Sequence, residues 1–255
     1  MSRALITGAS AGLGREFART LAAEGNDVVL VARSADRLEE LAAELAPTGV
    51  NIEVLAADLG NETDLARVAS RLRATDDPVT LLVNNAGFGL GQDFVGGTLE
   101  RELEGLNVMV RAVLVLCHAA APAMRGRGFG SIINVSSMTA LTAQGTYSAH
   151  KAWARTFTEG LAAELAGTGV TATVVTPGLI RTEFHERSEV DSSQWPDFVF
   201  AQPRQVVDEA LTAARRGRVI VTPTRLYKAA SALAKFAPRA LVRKIAGPGL
   251  SGRNG

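Results

Sequence analysis

"RALITGASAGLG" occupies residues 3–14. A short apolar run, "RALIT" (3–7), gives way at once to a turn that sets Gly8, Gly12 and Gly14 in G-x-x-x-G-x-G spacing. "GREFARTLAAEG" (14–25) then repeats its apolar residues at helical intervals. Three glycines alone also suit an ordinary strand-to-helix turn, but strand, glycine turn and helix in that order read as the phosphate end of a dinucleotide-binding unit. Glycine permits the tight turn and lets a phosphate approach the backbone. The helix start offers free N–H groups and a positive dipole end to a diphosphate. A mononucleotide P-loop is excluded, because the turn does not end in Gly-Lys-Ser/Thr.

The same rhythm continues outward. "DVVLVA" (27–32), "NIEVLA" (51–56), "TLLVNN" (80–85), "GSIINVS" (130–136), "VTATVVT" (170–176) and "GRVIVT" (217–222) read as further strands. They alternate poorly between apolar and polar, which fits strands buried on both faces. Helical patterns separate them. "SADRLEELAAELA" (34–46) carries Leu38, Leu41, Ala42 and Leu45 on one face, and residues 99–125 and 147–166 are longer helices. Strands alternating with helices imply right-handed βαβ units around a parallel sheet. The expected fold is α/β: a doubly wound, Rossmann-type, seven-stranded parallel sheet with helices on both faces. Residues 1–223 form one domain in this reading. Residues 181–203, "RTEFHERSEVDSSQWPDFVFAQP", break the rhythm and read as a substrate lid.

Composition narrows the class. A chain of 255 residues, 47% hydrophobic and 21% charged, has the make-up of one sizeable globular domain. Cys117 is the single cysteine, so no internal disulfide forms. There is no signal-peptide pattern and no run of about 18 apolar residues. A cytoplasmic location is expected, and no nucleic-acid partner. The net charge of +1 hides an asymmetry. Residues 1–209 hold all 26 acidic residues and 17 Lys+Arg, for −9, whereas residues 210–255 hold 10 Lys+Arg and no acid, for +10.

The end of the second strand reads the adenosine ribose. An acid there would accept from the 2′-hydroxyl and repel a 2′-phosphate. Here the chain runs "VARSADR", with Arg33 and Ser34 at that place and Asp36 already in the next helix. Arg33 suits a 2′-phosphate through charge-assisted bonds, and Ser34 adds a hydroxyl. NADP(H) is therefore expected in preference to NAD(H).

With these residues in hand, the chain resembles the short-chain dehydrogenase/reductase family in its compact single-domain branch, over roughly residues 3–222. "TGASAGLG" (7–14) looks like the family's cofactor turn, which implies contacts from Gly8, Ser10, Gly12, Leu13 and Gly14. "ADL" (57–59) looks like its adenine-binding segment, with Asp58 and Leu59. "NNAG" (84–87) matches the motif after strand four, with Asn85, Ala86 and Gly87. Asn107 stands where the family keeps an active-site asparagine. "NVSS" (134–137) ends strand five, where the family keeps its catalytic serine, and "YSAHK" (147–151) matches Tyr-x-x-x-Lys. "PGLIRT" (177–182) matches the nicotinamide-lining segment, with Pro177, Gly178 and Thr182. One departure stands out: "SSMTALTAQGTY" is about three residues shorter than the family's usual version. By the resemblance Ser137 is the catalytic serine, with Ser136 as the alternative. The shortening also trims a loop that walls the substrate site.

The chemistry explains the residue types. Hydride transfer between nicotinamide and a carbonyl moves negative charge onto oxygen, which needs a proton. A tyrosine's reference pKa of about 10 is high for a base near neutrality. A lysine four residues later projects from the same helix face and is expected to lower it. The resemblance implies that Lys151 also bonds the nicotinamide ribose and that Ser137 holds the substrate oxygen. It implies too that Asn107 holds a water linking Lys151 to solvent. No metal is expected, and His118, His150 and His185 read as structural or surface residues. The expected activity interconverts a hydrophobic carbonyl compound and its alcohol, with Phe88, Leu90, Met138, Phe184, Trp195 and Phe198 as candidate pocket residues. Alternatives are an inactive dinucleotide-binding regulator and a β-ketoacyl reductase acting on a carrier-bound thioester. An epimerase or dehydratase usually carries a larger C-terminal substrate domain.

The last segment, "TRLYKAASALAKFAPRALVRKIAGPG" (224–249), belongs to a basic extension of residues 224–255. Leu226, Ala230, Leu233, Ala237 and Leu241 form one helical stripe; Arg225, Lys228, Lys235, Arg239 and Arg243 form another. Pro238 is expected to divide it into two helices. Such a segment suits a second subunit, the acidic body of its own chain, or weak contact with an anionic membrane surface. A homodimer or homotetramer is expected.

Overall fold

The computed structural model describes residues 2–180 and 196–245. Strand β1 (Arg3–Thr7) leads into helix α1 (Gly12–Ala23), β2 (Asp27–Ala32) into α2 (Ala35–Leu45), and β3 (Ile52–Ala56) into α3 (Glu62–Arg73). After β4 (Leu81–Asn84) come α4 (Leu99–Leu106), a π-helical turn (Asn107–Arg111) and α5 (Ala112–Arg127). Then follow β5 (Gly130–Val135), α6 (Thr146–Glu164), β6 (Val170–Val175), α7 (Pro203–Arg215) and β7 (Ile220–Val221). Helices α8 (Arg225–Phe236) and α9 (Arg239–Ile245) close the described chain, with Pro238 between them.

The seven strands pair in the order β3-β2-β1-β4-β5-β6-β7, and every pairing is parallel. The chain therefore winds from β1 out to β3, crosses back to β4, and winds the other way. The expected doubly wound sheet is the observed one. The carboxyl ends of β1 and β4 part at this reversal and leave a crevice, where such sheets bind ligands.

Burial on both faces explains the unbroken apolar runs. Ile6, Leu30, Val83, Ile133 and Val175 pack into one layer with Phe17, Leu38, Leu41 and Val206. Their sequence neighbours Leu5, Val29, Leu82 and Ile132 pack into the other, with Leu65, Val68, Leu116 and Ala120. Side chains alternate across a strand, and here both sides are core. The rod from Leu99 to Arg127 has the length and composition of a membrane span, but Leu116, Ala120 and Met124 are buried against the sheet.

Two expectations change in detail. The helix over 99–125 contains a π turn at Asn107–Arg111. In the C-terminal helices, Leu226, Leu233 and Leu241 face solvent, so the expected apolar stripe does not dock on the body. The residues that turn inward are Tyr227, Ser231 and Ala234 on α8 and Val242 on α9.

A buried polar network ties β4, β5, α5 and α6 together. Asn84 Nδ2 donates to Asn134 Oδ1 at 2.8 Å, and Asn134 Nδ2 donates to Thr158 Oγ1 at 2.9 Å. Cys117 packs beside both asparagines, and burial pushes its thiol up to about 12. Asn134→Leu keeps the branched side-chain shape but removes the central partner from Asn84 and Thr158. It is expected to cost about 1–3 kcal/mol, read as a lower urea midpoint at unchanged slope.

Candidate active site

Helix α1 starts where it does because the turn before it collapses onto itself. A Cβ on Gly14 would sit inside the Gly8 carbonyl oxygen and against Asn85 Nδ2, so only glycine lets the helix approach this closely. Thr7 laces this turn to the loop after β4. Its hydroxyl accepts from Asn85 N at 2.9 Å and Ala86 N at 3.1 Å, and donates to Val83 O at 3.3 Å. Asn85 Nδ2 returns a bond to Thr7 O at 3.0 Å. The two loops that flank the crevice are thus one rigid unit.

A cleft of about 790 Å³ runs along the carboxyl ends of the strands. Gly8, Ser10, Gly12 and Leu13 line it from the first loop, and Arg33 and Ser34 from the end of β2. Asp58 and Leu59 follow β3, Asn85, Ala86 and Gly87 follow β4, and Pro177 and Gly178 follow β6. Ser137, Tyr147 and Lys151 line it from β5 and α6. Gly14 stands behind the wall, and Asn107 is half-buried in the π turn rather than on the wall. Thr182 lies outside the described residues, as do Phe184, His185 and Trp195. The ends of β2 and β5 are three strands apart, which is roughly 14 Å at normal strand spacing. A ligand meeting both Arg33 and Tyr147 must be long, with a waist that fits against bare backbone at the glycine turn. A dinucleotide has that shape.

Tyr147 and Lys151 share the inner face of α6. The Lys151 ammonium lies 5.7 Å from the Tyr147 ring centre and donates to Val135 O at 2.9 Å. Burial pulls the Lys151 ammonium down to about 8. Tyr147 departs from expectation. Burial raises its phenol well above the ordinary value, while the hydrogen bond with Ser137 works the other way. The physical reason is that a desolvated phenolate is costly, and Lys151 aims its proton at a carbonyl rather than at the phenol oxygen.

The two serines are told apart by their partners. Ser136 is buried and spends its hydroxyl on Lys151 O at 2.7 Å. Ser137 hydrogen-bonds with Tyr147 and accepts from Thr139 N at 3.1 Å, so it caps a short 3₁₀ turn at Met138–Leu141. His150 is buried away from the cleft, and its burial favours the neutral ring. His118 is on the surface. Phe88, Leu90 and Met138 line the cleft as expected, but Phe198 is 76% exposed and does not.

Several wall residues escaped the sequence reading. Arg101 stacks over the Phe88 ring at 4.7 Å and bonds Glu104 at 2.6 Å, and Glu104 also meets Arg33 at 3.5 Å. Tyr227 and Ala234 come from α8, which packs against the Met138–Leu141 turn. The Tyr227 ring fills the space where a side chain on Gly178 would stand. Its hydroxyl accepts from Leu179 N at 3.0 Å and donates to Val199 O at 2.9 Å. Thr224, at φ 67° and ψ 149°, holds a conformation that suits glycine, and Glu209 pins it by accepting from Thr224 N and Lys228 Nζ. Nothing local in the sequence marks Tyr227, because its partners lie 28 and 48 residues away.

The glycine turn supplies a direct check of the cleft. Gly14→Ala must push the turn or helix α1 aside, at about 1–3 kcal/mol. Nicotinamide-dinucleotide affinity is expected to fall about tenfold or more, measured by fluorescence titration, with a lower melting temperature.

Comparison with known proteins agrees with this geometry. The sequence profile described as short chain dehydrogenase matches residues 2–192. Dehydrogenase/reductase SDR family member 11 of Homo sapiens is 35% identical over 192 residues, which is 71% of this chain and 74% of that protein. A short-chain dehydrogenase from Sphingobium yanoikuyae, solved in complex with NADPH, is 33% identical. It superposes with a TM-score of 0.84 over 94% of this chain and 97% of its own. The bulky-bulky ketone specific alcohol dehydrogenase from Comamonas testosteroni is 30% identical, with a TM-score of 0.79 over 94% of this chain and 96% of its own. With the profile covering most of the chain and the parallel sheet, glycine turn and Tyr-Lys pair all in register, the chain belongs to the short-chain dehydrogenase/reductase family of oxidoreductases.

Proposed function

We propose that the protein is an NADP(H)-dependent oxidoreductase that interconverts a bulky, hydrophobic carbonyl compound and its alcohol. The observation that carries the reading is the meeting of Ser137, Tyr147 and Lys151 in one cleft whose wall includes Phe88, Leu90, Met138 and Leu141. A nicotinamide dinucleotide held by Gly12, Arg33, Asn85 and Lys151 would supply or take up the hydride. Ser137 holds the substrate oxygen, and Tyr147 donates its proton there as negative charge builds. Lys151 holds the ribose hydroxyls and stabilises the phenolate that remains. Asn107 keeps the water through which Lys151 regains protons. Ser136 is left a fastening role. The raised phenol stays protonated through neutrality, so it is ready to act as the proton donor. The Comamonas relative, specific for bulky ketones, supports the substrate class.

Arg33 and Ser34 support the choice of NADP(H). Arg33 is largely exposed, and its pair with Glu104 is a surface ion pair worth about 0–1 kcal/mol. A 2′-phosphate is a stronger partner and readily takes its place. Ser34 precedes α2 without spending its hydroxyl on a cap. The NADPH bound in the Sphingobium relative points the same way. For self-association, Leu99, Leu103 and Leu106 stand exposed at helical spacing on α4, with Leu114 beyond them on α5. A second copy of the chain is the partner we assign to that face.

Tyr147→Phe removes the proton donor. It is expected to lower kcat/KM for NADPH-dependent ketone reduction by about 10²–10⁴, with NADPH affinity within a few-fold of the parent. Full activity in that variant overturns the assignment. The charged form of Lys151 is the low-pH form, so its contribution is present below a pH of about 8 and is lost above it. The reductive kcat/KM is therefore expected to be flat through neutrality and to fall as the pH rises past about 8. Arg33→Asp is expected to weaken NADPH use by about ten- to a hundredfold, in line with a lost charge-assisted bond, and to spare NADH. A parent enzyme that already prefers NADH in steady-state kinetics refutes the cofactor choice.

A further inference from the structure

We propose that the outer face of helices α8 and α9 is an interfacial surface that binds an anionic lipid bilayer. Tyr227, Ser231 and Ala234 recur at intervals of four and three and turn inward, Tyr227 and Ala234 onto the cleft. Leu226, Ala229, Leu233 and Phe236 recur at intervals of three and four on the opposite face. Leu226 is 47% exposed, Leu233 75% and Phe236 89%, and Leu241 on α9 is 46% exposed. Arg225, Arg243 and Lys244 stand in solvent beside them, and Lys228 is ion-paired with Glu209. No Asp or Glu occurs anywhere in residues 210–255.

An apolar arc of leucine and phenylalanine on helices that carry cations and no acid of their own is the pattern of a segment lying in a membrane interface. Its apolar side sinks to the acyl boundary and its cations meet anionic headgroups. The competing occupant is a second copy. A two-fold contact through this face would set Arg and Lys against Arg and Lys, which repel. A contact between this face and the acidic body of another copy is heterologous and leaves an open chain of subunits. The charge sign and the one-sided composition favour lipid over both. The surface stands whether or not the reaction assigned to the cleft is correct.

The test is sedimentation of the full chain with phosphatidylcholine vesicles, with and without phosphatidylglycerol, at about 0.05 and 0.5 M salt. The chain is expected to pellet only with the anionic vesicles, and the partition coefficient to drop about tenfold or more at high salt. The double variant Leu233→Asp/Phe236→Asp is expected to stay in the supernatant with an unchanged melting curve and unchanged mass by light scattering. Arg243→Glu/Lys244→Glu is expected to weaken binding while keeping the apolar arc. A parent chain that ignores anionic vesicles overturns the proposal. So does a Leu233→Asp/Phe236→Asp variant of reduced mass, because the face would then belong to a second copy.

Discussion

Helix α6 is fastened to strand β5 at three levels. Asn134 reaches Thr158 inside the core, the Ser136 hydroxyl holds the Lys151 carbonyl oxygen, and the Lys151 ammonium holds the Val135 carbonyl oxygen. These bonds fix the rotation of α6, and with it the direction of Tyr147. A helix turned by one residue would swing Tyr147 through about 100° and out of the cleft. The Thr7 lacing does the same for the neighbouring loops after β1 and β4. The cleft is rigid because polar groups in its floor spend their hydrogen bonds on one another's backbone.

That rigidity holds an expensive group in place. Lys151 is buried and satisfies one donor on Val135, and burial draws its proton affinity down to about 8. A folded protein seldom keeps such a lysine for stability alone. Tyr147 is buried beside it with its phenol raised. The pair is thus poised in opposite senses: an acid reluctant to give up its proton, next to an ammonium ready to give up its own. This arrangement keeps both groups protonated at neutrality. It also locates the pH sensitivity on the lysine rather than on the tyrosine.

Much of the cofactor end was legible in the sequence because it is local. A glycine turn, a strand end at Arg33 and a Tyr-x-x-x-Lys pair each sit within a few residues of chain. Burial on both faces likewise made the strands plain as apolar runs, with errors only at their ends, as at Ile220–Val221. The serine pair needed the fold. Only the three-dimensional partners show that Ser136 is used up and that Ser137 meets Tyr147. The sequence also misjudged the tyrosine, since spacing reports that a lysine is near but not how dry the site is. Glu104 was invisible as a partner of Arg33, because the two lie on different elements that meet only across the sheet.

The other end of the cleft is long-range by construction. Its wall joins the loop after β4, the short Met138–Leu141 turn and the inner face of α8, which arrive from three distant parts of the chain. The stretch between Ser137 and Tyr147 is short, and α8 packs against it. Tyr227 then joins that helix to backbone on both sides of the Ile180–Ala201 bridge. A residue in this position does two things at once. Its ring bounds the cleft, and its hydroxyl fixes the segment through which β6 leaves it. The strained Thr224, pinned by Glu209, shows that the direction of α8 is imposed by its surroundings. The wall of the cleft in this protein is therefore completed by a helix that follows the last strand, not by the motifs that define its family.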